Sequence, residues 1–154
     1  MTENPDPHIV AEGLLPTPFT ADEIRDALRG GAVIRIRDEA ADGTTRDRIN
    51  RFSDGDGTGA TLTSHPADDP DAAQSKRLAW RELQAHAAFP IAHTAVRTEI
   101  IEHPLGLLEC LRYDVSDEDG GAVFWFALVH PGMPVRYEAT DADGTTRTTV
   151  LSIA

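Results

Sequence analysis

The chain has 154 residues, 40% of them hydrophobic and 26% charged, with 26 acids against 14 bases, a formal charge of -12 and one cysteine. A chain of this length can bury about 70% of the surface its unfolded form exposes, so one globular domain needs no disulfide or metal to hold a core. The negative charge opposes a phosphate backbone and excludes nucleic-acid partners. The longest apolar run, Ala122 to Val129, is eight residues, well short of the roughly 20 that a membrane helix needs.

The acids are 16 Asp and 10 Glu, balanced by 13 Arg and the single Lys76, a usage that points to genome composition or salt adaptation more than to a binding task. Acidic surfaces can also steer toward basic partners, which keeps an acidic inhibitor in view. Met1 to Glu12 are polar and acidic, without the basic start and apolar stretch of a secretory leader, so a cytoplasmic location is expected. Cys110 stands alone, which precludes an internal disulfide and a multi-cysteine metal site.

Pro5, Pro7, Pro16 and Pro18 mark residues 1 to 18 as a flexible or extended lead-in to a single domain over 19 to 154. Thr20 and Glu23 form a capping-box pattern, Phe19 and Ile24 can staple the same end, and Gly30-Gly31 supply a stop, predicting a helix over 20 to 29. Val33 to Arg37 alternates apolar and charged residues, Asp42-Gly43 is a tight-turn signal, and Thr44 to Phe52 reads as the returning strand of a hairpin. A Gly-rich turn at 54–59 leads to a third strand over 60 to 64. The three- and four-residue spacing of Trp80, Leu83 and Ala87 then predicts a second helix from Asp71 to Ala88, stopped by Phe89-Pro90.

Strands over 94–102, 106–115, 122–130, 135–140 and 145–153 follow, with short turns that favour an antiparallel meander. Asp42-Gly43-Thr44-Thr45-Arg46 recurs as Asp143-Gly144-Thr145-Thr146-Arg147, which reads as two similar hairpin turns because the flanks differ. The expected fold is α+β: a highly curved antiparallel half-barrel of seven to eight strands packed on two helices.

Chemistry-bearing patterns are sparse. Asp54-Gly55-Asp56-Gly57-Thr58-Gly59 matches the first half of a calcium loop, but its twelfth position is His65 where a bidentate carboxylate is required, so a solvated turn is expected. His86, His93 and Glu99 could converge as an acid-base or metal site of a small enzyme, although the six histidines lack ligand spacing. Cys110 lies in a strand on the side of Leu108 and Arg112, with nothing placed to activate it, and reads as a structural thiol. Nucleophile elbows, phosphate-binding loops and dinucleotide fingerprints are missing from the sequence, so neither a cofactor nor a metal is expected.

The strongest signal is apolar. Large side chains occupy both faces of Ala122 to Val129, a strand that must be covered on both sides. One cover is ordinary core or a protein partner; the other is an internal pocket for an apolar small molecule, walled by Trp80, Leu83, Phe124, Trp125 and Phe126. The leading reading is a non-enzymatic binding module for an apolar small molecule or a protein partner.

The stretch Val123-Phe124-Trp125-Phe126-Ala127, followed by His130-Pro131-Gly132-Met133-Pro134-Val135-Arg136 and preceded by Pro104 to Tyr113, resembles the aromatic strand, turn and next strand of LolA-like half-barrel proteins and their small bacterial, actinobacterial-type relatives. The likeness spans about residues 94 to 154. It implies an incomplete antiparallel barrel around one or two helices, a fold that shelters acyl chains in lipoprotein carriers. Without an export signal or a lipidated N-terminal cysteine, the expectation extends to the fold and not to periplasmic carriage.

Overall fold

The computed structural model describes residues 6–118 and 120–154. Helix α1, Ala21–Leu28, begins as its sequence dictates: the Glu23 N–H donates to the Thr20 hydroxyl at 3.1 Å, and the Thr20 N–H donates to the Glu23 carboxylate at 3.0 Å. These reciprocal bonds satisfy two of the amides a helix start leaves unpaired. Its apolar stripe buries Ile24 and Leu28 against the sheet.

The sheet contains nine antiparallel strands: β1 Ala32–Glu39, β2 Thr45–Ser53, β3 Gly59–Pro66, β4 Gln74–Ala79, β5 Thr94–His103, β6 Gly106–Asp117, β7 Gly120–Ala127, β8 Arg136–Asp141 and β9 Gly144–Ile153. Their order is β4-β3-β2-β1-β9-β8-β7-β6-β5, so two meanders meet along a β1–β9 seam at mid-sheet. The outer strands β4 and β5 do not pair with each other, and the curled sheet stays open. Both copies of the Asp-Gly-Thr-Thr-Arg sequence sit at hairpin turns, after β1 and after β8, as expected.

The strand count exceeds the expectation because residues 74–79 are not helical. The predicted helix over 71 to 88 is instead a 3-10 turn at Pro70–Ala72, strand β4, and a helix α2 of only six residues, Trp80–Ala85. The reason lies at the edge of β3, whose backbone is hydrogen-bonded by β4 from Gly59↔Ala79 to Ser64↔Gln74. Gln74 to Arg77 are exposed and have no apolar stripe to hold a helix down, so strand pairing prevails over helical propensity. The apolar spacing that suggested a helix is real only from Trp80 onward.

The chain then passes from one edge of the sheet to the other through α2 and a 3-10 turn at Ile91–His93, crossing the inner face. One buried cluster joins Phe19, Ile24 and Leu28 with Trp80, Ala87 and Phe89 and with inner-face residues from β1, β2, β3, β6, β7 and β9. A second cluster, Ile101, Leu108, Cys110, Trp125, Ala127 and Val135, lies on the outer face of β5 to β7. Both helical segments therefore sit inside the trough.

Of the expected lead-in, Met1 to Pro5 fall outside the described residues. From Pro7 to Pro18 the segment is tied to the body: the Leu15 N–H donates to the Phe89 carbonyl at 2.8 Å and the Tyr113 hydroxyl to the Pro16 carbonyl at 3.2 Å. Gln84, 7% exposed, is the polar hub. Its amide donates to the Pro7 carbonyl and the Thr17 hydroxyl and accepts from the Ala21 N–H, joining the lead-in, α1 and α2. A buried amide with all these partners is stabilising, whereas one left unpaired costs stability.

Candidate functional site

Between the helices and β7–β8 lies a groove of about 320 Å³. Leu28 of α1, Leu83 of α2 and Ala87 beyond it form one wall. Phe52, Phe124, Phe126 and Tyr137 form the sheet wall, and the Gly132-Met133-Pro134 turn makes a side. The volume and apolar lining suit a small-molecule pocket. A larger hollow of about 810 Å³ around Arg35, Asp47 and the 66–69 loop is more open and more polar, and lacks that lining.

The sheet wall is an aromatic chain. Tyr137 stacks on Phe124 at 5.7 Å in direct cross-strand register, Phe124 meets Phe89 at 4.8 Å, Phe89 meets Tyr113 at 5.3 Å, and Tyr113 meets Phe126 edge-on at 5.6 Å. Such offset and edge contacts fix ring orientations beyond what burial alone does. Burial pushes the Tyr113 hydroxyl up to about 12. His86, exposed at the end of α2, lines the groove and supplies a polar group there.

The structure brings Leu83, Phe124 and Phe126 together in this groove. Trp80 is in the same core, 3% exposed, but does not line it; its indole N–H donates to the Asp56 carbonyl at 2.8 Å and pins the β2–β3 turn. Trp125 is on the opposite face, because side chains alternate along a strand. There it is flanked by guanidinium groups, Arg136 at 4.5 Å and Arg112 at 5.1 Å from the ring centre. Leu28, Phe52, Met133 and Tyr137 also line the groove and carry no sequence signal by themselves. The pairing Phe124↔Tyr137 would have revealed Tyr137 had the β7–β8 register been known.

The alternative chemistry is dispersed. His86 faces the groove, whereas Glu99 is on β5 with its carboxylate on Arg112 at 2.9 Å, which holds it below the usual carboxylate range. Glu99 alternates with the inner-facing residues of β5, so it and His86 are on different faces. Among the described residues no group of three or more His, Cys, Asp or Glu side chains is placed to hold a metal ion.

In the calcium-like loop both oxygens of the Asp56 carboxylate are already engaged. Asp56 accepts from the Thr58 N–H at 2.8 Å, the Thr58 hydroxyl at 2.9 Å and the Gly59 N–H at 3.0 Å, while Arg77 reaches its other oxygen at 2.6 Å and the Asp54 carbonyl at 2.7 Å. The backbone N–H groups of Thr58 and Gly59, with help from the hydroxyl and Arg77, hold the Asp56 carboxyl down to about 2. The guanidinium of Arg77 thus supplies positive charge to the loop.

His103 is a staple. Its Nδ1 accepts from the Leu105 N–H at 3.0 Å, which leaves Nε2 to donate to the Val135 carbonyl at 2.9 Å. Burial pushes it below its ordinary value, in keeping with a neutral ring. Cys110 is fully buried and burial raises its thiol, as fits a structural side chain. Acids elsewhere are interleaved with arginines, Asp47 with Arg35 and Arg37, Asp38 with Arg48 and Glu138 with Arg147.

The fold and groove together describe an open antiparallel half-barrel with helices and an apolar hollow on its inner side. No family model matches the chain, and no curated protein matches it. Among solved structures, it is similar to a domain from Vibrio parahaemolyticus described as an outer membrane lipoprotein-sorting protein, with 12% identity, a TM-score of 0.31, and coverage of 87% of this chain and 90% of that one. No helix among the described residues is long and apolar enough to cross a membrane.

Proposed function

We propose that the protein is a non-catalytic binding module that takes an apolar small molecule into the groove between α1, α2 and β7–β8. The observation that carries this reading is a hollow of about 320 Å³ whose wall is almost wholly aliphatic and aromatic, with His86 and Tyr137 as its few polar groups. A preformed apolar surface gains free energy by exchanging water for an apolar ligand, and a small number of polar groups suffices to orient it. The aromatic contacts behind the wall hold the hollow in shape, which limits the ordering cost of binding.

The test fills the groove. Leu83→Trp places an indole in the hollow, and Leu107→Ser alters a side chain 73% exposed and away from it. An uncharged naphthylamine fluorophore should bind the unmodified protein and the Leu107→Ser variant alike and fail to bind Leu83→Trp. Native mass spectrometry of protein purified from cells should show an apolar adduct that Leu83→Trp lacks. Equal fluorophore binding by Leu83→Trp and the unmodified protein would overturn the reading.

A further inference from the structure

The two free edges of the sheet are not equivalent. Strand β4 is six residues long and carries Lys76 and Arg77, charged side chains of the kind that discourage edge pairing. Strand β5 is ten residues, Thr94–His103, has no proline or lysine, and presents Val96 at 46% and Ile100 at 66% exposure. Among the described residues it pairs only with β6.

Which backbone groups of β5 face outward follows from hydrogen bonding. The Glu109 carbonyl of β6 accepts from the Leu128 N–H on the β7 side at 3.0 Å, so the neighbouring Leu108 and Cys110 direct their backbones toward β5. Their partners are Ile101 and Glu99. By alternation, Val96, Thr98, Ile100 and Glu102 turn their N–H and C=O groups outward.

We propose that two copies of this chain associate through antiparallel pairing of their β5 edges about a two-fold axis at Thr98. Only outward-facing residues can exchange bonds across such an axis. Centring on Thr98 overlaps the strands from Thr94 to Glu102 and sets Thr98 against Thr98 of the second copy. Val96 then lies opposite Ile100 of the second copy, on the inner face shared with Leu111 and Tyr113. On the outer face Arg97 lies opposite Glu99 of the second copy, and this happens twice.

The sequence of β5 is thus self-complementary in charge and in apolar size at this one register, as an isologous interface requires. Within each copy Glu99 already contacts Arg112 at 2.9 Å and Arg97 at 3.4 Å, and across the axis Arg97 of the other copy is brought to the same carboxylate. The product is an eighteen-stranded sheet, twice nine, that leaves both grooves on the inner side. Main-chain bonds supply affinity and the opposed side chains supply register, as in strand-addition complexes. The charge of -12 on each copy opposes approach at long range, but the Debye length of about 8 Å at physiological ionic strength screens it.

Sedimentation equilibrium at physiological ionic strength tests this with three variants. The unmodified protein should move from monomer to dimer as its concentration rises. Thr98→Pro removes an outward N–H that has no partner in the monomer, so it should leave the circular dichroism spectrum intact and keep the protein monomeric. Arg97→Glu alone and Glu99→Arg alone each set like charges opposite one another and should weaken association at least about tenfold. An equal mixture of the two should regain it, since each variant strand then faces the opposite charge. A monomer at every concentration, a Thr98→Pro variant that still dimerises, or a mixture no tighter than its separate components would each overturn the proposal.

Discussion

The two faces of β7 carry the same kind of residue to different ends. Inward, Phe124 and Phe126 join a chain of rings beside an open groove; outward, Trp125 is closed over by Arg112 and Arg136. The inner rings border the groove and the outer ring lies between two guanidinium groups, so apolar content alone does not distinguish a binding wall from a structural seal. What distinguishes them is the cover. Short helices bridging a wide trough leave a gap, whereas the guanidinium groups of Arg112 and Arg136 stand 5.1 and 4.5 Å from the centre of an indole that is 5% exposed.

Replacing large rings should break this contrast most sharply. Phe126→Ala and Trp125→Ala should each cost about 3–5 kcal/mol in urea denaturation, since both residues are buried. Only Phe126→Ala should also change fluorophore affinity at matched fraction folded. Next in size, Gln84→Ala leaves the Ala21 N–H and the Pro7 carbonyl without their partner and should cost about 1–3 kcal/mol. Gly132 has a φ of +140°, and an added Cβ would meet Leu28 only at 3.6 Å, so Gly132→Ala should cost about 1–3 kcal/mol through backbone strain and not through a clash.

Acid should act through groups such as Asp56 and His103, whose values folding lowers. Asp56 has a native value of about 2 against an ordinary 3.8, so its stabilising contribution is full above about pH 4 and is lost as the pH falls toward and through 2. Melting temperatures measured over that range should fall less steeply for Asp56→Asn. His103 is also lowered, so protonation favours the unfolded chain. Stability should decline as the pH falls below the ordinary histidine value of 6.5, and His103→Gln should blunt that decline. The smallest effect is expected for Arg147→Ala, an exposed pair with Glu138, at about 0–1 kcal/mol.

Local rules were legible in the sequence wherever the deciding partner was near in the chain. The cap of α1 needs only Thr20 and Glu23, and the first hairpin needs only Asp42-Gly43 between alternating runs. Strand β4 was illegible because its cause is the edge of β3, not its own composition. Among the candidate wall residues, alternation separates Phe124 and Phe126 from Trp125, but with large side chains on both faces it cannot say which parity looks inward. The helices decide that. Gln84 carried no signal since its partners Pro7, Thr17 and Ala21 lie more than sixty residues away in the chain.

The β1–β9 seam has a consequence for how the molecule is made. The first four strands and the last five are each consecutive neighbours, so either half can begin to assemble as it emerges from the ribosome. Their union must wait, because Ile36 meets Val150 and Glu39 meets Arg147 across more than a hundred intervening residues. During synthesis β1 therefore offers a bare central flank to the cell until β9 arrives, and the slow step of maturation should be the docking of two prebuilt halves.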